Sequence, residues 1–284
     1  MSIPSEAMNE AYHQPSFLQR FSKFNPSGLN ISKLNLIGWL LPVLFFLGLE
    51  IGAQQQWLEA RLLPPPSVIV GTFKELFQDN LLAHISISAF RVLTGFLIGS
   101  GLGLIIAILV GLTPILKQLI DPTFQALRNV PSLAWVPLLL LWFGIDETPK
   151  IIMIALGAFF PVYLNVLSGI QNVDRKLIEV GRIYGLNRGQ LVKRILLPAA
   201  LPYIFTGLRT ALGLSWMFLV AAELIAASQG LGYLLSDGRE TSRPDRVIVA
   251  IILIAILGKF SDSLLQSLEN KSLRWRDTAL VNHQ

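Results

Sequence analysis

The sequence predicts an all-α, polytopic membrane protein with about six transmembrane helices, and three observations lead there. Charged residues make up 14% of the 284-residue chain and hydrophobic ones 52%, whereas a soluble domain carries about a quarter charged residues. Apolar runs close to the roughly 20 residues needed to cross a bilayer recur along the chain. Lys and Arg gather in the segments beside those runs, as loops facing the cytoplasm do. Length alone allows one or two domains. The long uncharged runs favour one transmembrane domain over 34–268, flanked by a polar tail over 1–33 and a carboxy-terminal tail over 269–284.

Taken in order, the first apolar run is Leu34 to Ile51 and the second Ile85 to Leu112, uncharged from Val92 onward. Ile115 to Phe143 carries a third, interrupted by Pro131 and Pro137. Ile151 to Ile170 is a fourth, and Leu201 to Ala222 a fifth with Arg209 inside it. Val247 to Leu268 is a sixth, with Lys259 and Asp262 near its end, where they can snorkel to an interface. Between the first two runs, Pro64-Pro65-Pro66 reads as a stiff spacer and Ser67 as the cap of a helix. The apolar face of that helix, Val68, Ile69, Phe73, Leu76 and Phe77, suits the membrane surface.

Loop charges set the orientation. Arg20, Lys23 and Lys33 precede the first run, and Lys271, Arg274 and Arg276 follow the sixth. With six spans these clusters and the basic segment between runs four and five share one side, expected to be cytoplasmic. Both termini are then cytoplasmic, in the inner membrane. Residues 1–30, polar with scattered Pro and Gly, read as poorly ordered. No cleavable signal peptide is expected, because the first long apolar run follows a long polar lead.

Composition also excludes chemistry. The chain has no cysteine, which removes disulfides, thiol catalysis and thiolate metal sites. His13, His84 and His283 are scattered and suggest no metal centre. A net charge of +5 fits loops facing anionic lipid rather than nucleic acid. No Gly-x-x-x-x-Gly-Lys-Ser/Thr phosphate loop occurs, nor any protease or zincin constellation, so the chain is not expected to be an enzyme.

Several residues stand out within the spans. Gly95, Gly99, Gly103, Ala107 and Gly111 place a strip of small residues down one helix face, a packing seam inside the subunit or at a dimer contact. Arg128 and Asn129 sit beside Pro131, where a broken helix exposes polar backbone that is tolerated only against protein or a water-filled cavity. Arg209 lies inside the fifth run. Intramembrane arginines are candidates for an anion pathway, or else for pairing with carboxylates such as Glu223. Gly230-Leu231-Gly232-Tyr233-Leu234-Leu235 allows a tight re-entrant turn on the extracytoplasmic side.

The most informative segment is a charged island between runs four and five, within 171–198. It reads Glu179-Val180-Gly181-Arg182-Ile183-Tyr184-Gly185, nine residues, then Ile195-Leu196-Leu197-Pro198. Arg175, Lys176, Arg182, Arg188, Lys193 and Arg194 sit in or beside it. Gly185 is placed to end a first helix in the left-handed conformation. Asn187 can cap a second, with Gln190 reaching back. The spacing predicts a rigid knob rather than a linker.

This pattern resembles the EAA loop of permease subunits in bacterial ATP-binding-cassette (ABC) importers, with Val180 and Gly181 standing where two alanines are usual. The likeness extends over roughly residues 57 to 276. Arg128-Asn129-Val130-Pro131, Leu141-Trp142-Phe143-Gly144-Ile145-Asp146-Glu147 and Leu231-Gly232-Tyr233 are similar to the branch serving aliphatic sulfonates, taurine, nitrate and bicarbonate. Ala60-Arg61-Leu62-Leu63-Pro64 and Ala250-Ile251-Ile252-Leu253 are nearest in wording to the aliphatic sulfonate permease. The resemblance implies a MetI-like permease fold and a homodimer in the lipid bilayer. It also implies two ABC ATPase subunits, which bind the ATP and Mg, and an extracytoplasmic substrate-binding protein. Glu179, Gly181, Tyr184, Gly185 and Leu186 would then couple to the ATPase, with Arg128, Asn129, Arg209 and Glu223 as candidates for the substrate pathway. The expected cargo is an aliphatic sulfonate; nitrate, bicarbonate and taurine are the alternatives. A secondary transporter would need inverted repeats and midplane carboxylates, and the spans carry few carboxylates and no obvious repeat.

Overall fold

The computed structural model describes residues 31–55 and 63–275. Arg20, Lys23, the Ala60–Leu62 stretch, Arg276 and the polar lead over 1–30 lie outside them. The chain divides into two compact units, Met1–Leu58 and Glu59–Gln284. The first holds α1 (Ile31–Gln54), which contains the first predicted span. At 1.5 Å per residue it is about 36 Å long, enough for a hydrocarbon core of about 30 Å.

The second unit contains α2 (Pro66–Gln78), α3 (Leu81–Leu112), α4 (Pro114–Arg128), α5 (Val136–Phe143), α6 (Glu147–Gln171), α7 (Arg175–Ile183), α8 (Arg188–Leu191), α9 (Leu197–Ala226), α10 (Leu231–Glu240) and α11 (Pro244–Ser272). Among the described residues, four helical stretches are long and apolar enough to cross a membrane: α3, α6, α8 through α9, and α11. The pair α4–α5 makes a fifth if its two bent arms are one span.

Helix α6 is the centre, with α3 on one face and α9 on another. The small-residue strip of α3 packs on α6, so the seam is internal to the subunit. A Cβ on Gly95 would lie 2.6 Å from Ile154, one on Gly103 2.7 Å from the Phe159 carbonyl oxygen, and one on Gly111 3.1 Å from Ile170. These pairs ascend together, so α3 and α6 run parallel. The chain between them must therefore return along the bundle, and α4–α5 makes that return.

The return path is bent by 90°. Pro131 stands at the break, as expected, just before a 3-10 turn over Ser132–Trp135. Pro137 does not interrupt a helix: it sits in the first turn of α5, where a missing N–H costs nothing. Ser67 is likewise not a cap. Pro65 occupies that position without a side-chain bond, and α2 has already begun at Pro66. Of the apolar face expected on α2, Leu76 is buried and Ile69 packs against the same cluster, while Val68, Phe73 and Phe77 stay exposed.

Helix α9 crosses α6 antiparallel. Gly157 admits the ring of Phe218 (a Cβ would lie 2.6 Å from Cε2), and Gly169 admits Tyr203 (2.7 Å from its Cβ). Helix α11 runs antiparallel to α9, where Trp216 Nε1 donates to Ser261 Oγ at 3.0 Å. The last turn of α11, with Lys271, is thus at the same end as the start of α9. The Gly230 segment opens α10, a ten-residue helix that follows α9 after four residues.

Candidate functional site

Two constellations of charge lie at opposite ends of α9. The first is the island between α6 and α9. Asp174 Oδ1 accepts from Lys176 N at 2.9 Å and caps α7. Gly185 ends that helix at φ 73°. Leu186 N donates to the Gly181 carbonyl at 3.1 Å and Gly185 N to the Arg182 carbonyl at 2.9 Å, the paired bonds of a Schellman stop. Asn187 Oδ1 accepts from Gln190 N at 2.9 Å while Asn187 N donates to Gln190 Oε1 at 3.1 Å, closing a capping box at the start of α8.

A small apolar core joins the two short helices. Gly181 is buried, and a Cβ there would lie 2.5 Å from Ile195 Cδ1 and 3.5 Å from both Leu186 and Leu191. Glu179 faces solvent. So do Ile183 (83% exposed) and Tyr184 (81%), with Leu177 and Val180 half-exposed beside them. Apolar side chains presented together on a stiff, charged element mark a contact surface. The island joins α9 without a break, through a π-helical turn over Val192–Leu196. Pro198, in the first turn of α9, has no N–H for the carbonyl four residues back, and widened ladders occur at such places.

The second constellation closes the other end. Arg91 of α3 is 1% exposed in its side chain. Its Nε and Nη2 donate to the two oxygens of Glu147, each at 2.6 Å, a bidentate fork. Its Nη1 donates to Glu223 Oε1 at 2.6 Å and to the Gln229 carbonyl at 2.7 Å. Lys150 Nζ donates to Glu147 Oε1 at 3.0 Å. Glu223, 0% exposed in its side chain, also accepts from Ser88 Oγ at 2.8 Å and from Gly232 N at 2.7 Å. Leu231 N donates to Ser88 Oγ at 2.8 Å and Gly230 N to His84 Nδ1 at 3.0 Å. Three successive N–H groups at the start of α10 are thus held by side chains of α3 and α9. Gly230 (φ 129°) and Gly232 let the Glu223 side chain lie this close; a Cβ on Gly232 would be 2.6 Å from the Glu223 Cβ.

The expected pathway residues are not brought together. Arg209 Nε and Nη2 donate to Asp262 of α11 at 2.9 and 3.2 Å, and Nη1 reaches Glu269 at 3.3 Å. Its partner is therefore not Glu223, which belongs to Arg91. Arg128 and Asn129 are exposed at the bend after α4, and among the described residues neither side chain has a polar partner. Sequence reasoning missed Arg91, Glu147 and Lys150. A signal existed: His84, Ser88 and Arg91 continue the stripe of Gly95 and Gly99 at helical spacing, which assigns Arg91 to the packed face.

A half-exposed ion network ties α2 to α10 and α11. Glu75 accepts from Arg243 at 2.7 and 2.8 Å and from Arg246 at 2.9 Å. Those hydrogen bonds, from Arg243 first and then Arg246, pull the Glu75 carboxyl down to about 2. Among the described residues no group of His, Cys, Asp or Glu is placed to hold a metal.

A bundle of apolar spans with a stiff charged knob at one end is the build expected of an importer's membrane subunit. Residues 99–274 match the family described as the inner membrane component of binding-protein-dependent transport systems, and the chain belongs to that family. It is a multi-pass inner-membrane permease subunit of an ABC importer, and the nucleotide is handled by a separate ATPase subunit. It is 46% identical over 242 residues to the aliphatic sulfonates transport permease protein SsuC of Bacillus subtilis strain 168, covering 85% of this chain and 88% of that one. The protein of the same name from Escherichia coli K12 is 46% identical over 243 residues, 85% and 92% of the two chains. The taurine transport system permease protein TauC of Escherichia coli K12 is 35% identical over 229 residues, 78% and 83%. The fold is shared with the MetNI methionine ABC transporter (TM-score 0.54, 20% identity, 66% of this chain and 95% of that one). An amino acid ABC transporter also shares it (TM-score 0.58, 17% identity, 72% and 98%).

Proposed function

We propose that this chain carries aliphatic sulfonates through the cytoplasmic membrane as one half of a permease homodimer. Two ABC ATPase subunits power it and an extracytoplasmic binding protein delivers the cargo. The observation that carries the reading is the 46% identity to two aliphatic sulfonate permeases over 85% of the chain, against 35% to a taurine permease. Both termini and the island face the cytoplasm in this reading; the basic residues of the island and of the α11 end, which share one end of the bundle, support it.

The island seats in a cleft of the ATPase through Glu179, Tyr184 and the exposed hydrocarbon of Ile183. Gly181, Gly185 and Leu186 act from within, by keeping the knob stiff. ATP-driven closure of the ATPase pair then turns the permease halves outward, and hydrolysis resets them. Of the pathway candidates, Arg128 and Asn129 are the ones we assign to the anion, because Arg209 and Glu223 spend their charge on protein partners. Uptake of labelled ethanesulfonate, taurine, nitrate and bicarbonate, in a strain lacking the gene with and without its restoration, tests the substrate. Restored ethanesulfonate uptake is expected; restored uptake of another anion alone would overturn the sulfonate assignment.

A further inference from the structure

Helix α10 has no cap of its own. Its N-cap residue is Gly230, and no side chain of α10 bonds its first turn. The N–H groups of Gly230, Leu231 and Gly232 are taken by His84 and Ser88 of α3 and by Glu223 of α9. The seat of α10 is therefore set by where α3 and α9 stand relative to one another. Arg91 fixes that relation. It holds the carboxylate at the end of α9, the carbonyl of Gln229 in the α9–α10 connection, and the carboxylate at the start of α6.

The other end of the same rod is the island. From Arg188 to Ala226 the chain is one helical stretch of 39 residues, about 58 Å at the rise of an α-helix. A displacement of the knob moves Glu223, and Glu223 sits in a cluster that has few neutral ways to follow. Packing alone does not call for these charges, since the glycine seam already holds α3 on α6. Buried ion clusters add little to stability over apolar side chains of the same size, but in some proteins they specify one register. Side chains that share carboxylates can also exchange partners, which interdigitated hydrocarbon cannot do.

We propose that Arg91 is the positioning residue at the far end of the transport stroke. Acting through Glu223, it converts movement of α9 into the seating and unseating of α10 on the extracytoplasmic side. This rests on the reading of the island as the ATPase-facing end. Glu147, whose side chain is 43% exposed, is the partner Arg91 can release to solvent. Leu234, 4% exposed on the packed face of α10, reports the seat.

The chain has no cysteine, so Leu234→Cys supplies its one thiol. The test uses the whole importer in proteoliposomes and follows labelling of that thiol by a membrane-impermeant maleimide, with and without ATP and vanadate. The nucleotide is expected to change the labelling rate by about fivefold or more, the lower range of site-to-site coupling. Arg91→Lys keeps the charge and loses the fork. It is expected to abolish the nucleotide dependence and to lower the maximal rate of ethanesulfonate uptake about tenfold with KM unchanged, the effect of losing a charge-assisted hydrogen bond. Glu147→Gln, at a half-exposed position, should do the same to a smaller degree and serves if Arg91→Lys does not accumulate. Labelling indifferent to nucleotide in the presence of Arg91, or full uptake with intact nucleotide dependence in both variants, overturns the proposal. Labelling needs no substrate, so an importer that ignores sulfonates but shows the nucleotide effect would sink the substrate assignment and leave Arg91 standing.

Discussion

The two ends of the α9 rod use charge in opposite ways. At the island, six Lys or Arg side chains lie in or beside two short helices, and what holds those helices is backbone capping and a few apolar contacts around Gly181. The charges there are solvated, and each contributes little to stability. At the other end four charged groups, Arg91, Glu147, Lys150 and Glu223, close on one another, with Arg91 and Glu223 almost fully buried. Each of those depends on the others, because a buried charge without its partner has lost its water and gained nothing. The exposed end is free to meet another protein; the buried end is committed to holding four helices in register.

Removing a charge from each end is the most severe test of that contrast. Arg91→Met leaves Glu223 buried without its cation and should destabilise the fold by about 3–5 kcal/mol. Arg188→Met, on the exposed island, should stay within about 0.5 kcal/mol. Thermal unfolding of the two detergent-purified variants measures both. Equal midpoints would mean that the buried cluster does not bear on stability.

Between the ends, the α3–α6 seam should tolerate almost nothing on one side of α3 and almost anything on the other. A Cβ on Gly99 would lie 2.8 Å from the Cα of Ala155, and backbone cannot step aside. Gly99→Val is expected to cost about 1–3 kcal/mol through overpacking. Gly101 has open space around it, and Gly101→Ala should instead stabilise its helix by up to about 1 kcal/mol. The sign difference, read as a shift of the unfolding midpoint, checks which face of α3 packs on α6.

At the island the expected losses are in transport more than in stability. Gly185→Val places a β-branched side chain at φ 73° and costs about 1–2 kcal/mol locally. Membrane insertion should be normal while uptake falls to background, because the stop between α7 and α8 is what makes the knob stiff. Normal uptake by this variant would remove the mechanical role of the island. Asn187→Ala, which opens the capping box, should cost about 1 kcal/mol and lower uptake only partly.

The difference between the ends also explains what the sequence disclosed. The island is built from local rules: a glycine for the left-handed stop and Asn187 with Gln190 for the box, all within a few residues. The buried cluster joins residues 56, 132 and 138 positions apart, and no local rule pairs them. The apolar run from Ile85 says nothing of a role for Arg91, and the sequence offers Glu223 only as a possible partner for Arg209. Only the parallel course of α3 and α6, with α9 antiparallel to them, brings Arg91 to Glu223 and leaves Arg209 to Asp262. The bend of α4–α5 was half legible. Pro131 announces it, but Pro137 is equally conspicuous and merely starts a helix.

The smallest expected effect lies in the ion network of α2, which is intermediate between the two ends. Glu75 is 46% exposed in its side chain yet accepts from two guanidinium groups. Hydrogen bonds from Arg243 and Arg246 pull its carboxyl from an ordinary value of 4.5 down to about 2. A carboxyl lowered on folding adds stability that is fully present above its unfolded value and is lost as pH falls through its folded one. The contribution of Glu75 should therefore hold at pH 6, begin to fade near pH 4.5 and be gone near pH 2. Many other carboxylates protonate in that window, so the informative quantity is the difference between the native chain and Glu75→Gln. Their unfolding midpoints should converge as pH is lowered from 6 to 3. The gap should also shrink in high salt, which screens exposed pairs far more than buried ones. A gap constant with pH would mean that α2 is held by buried Leu76 and by Thr72, whose Oγ1 donates to Asp245 at 2.6 Å, rather than by the Glu75 pairs.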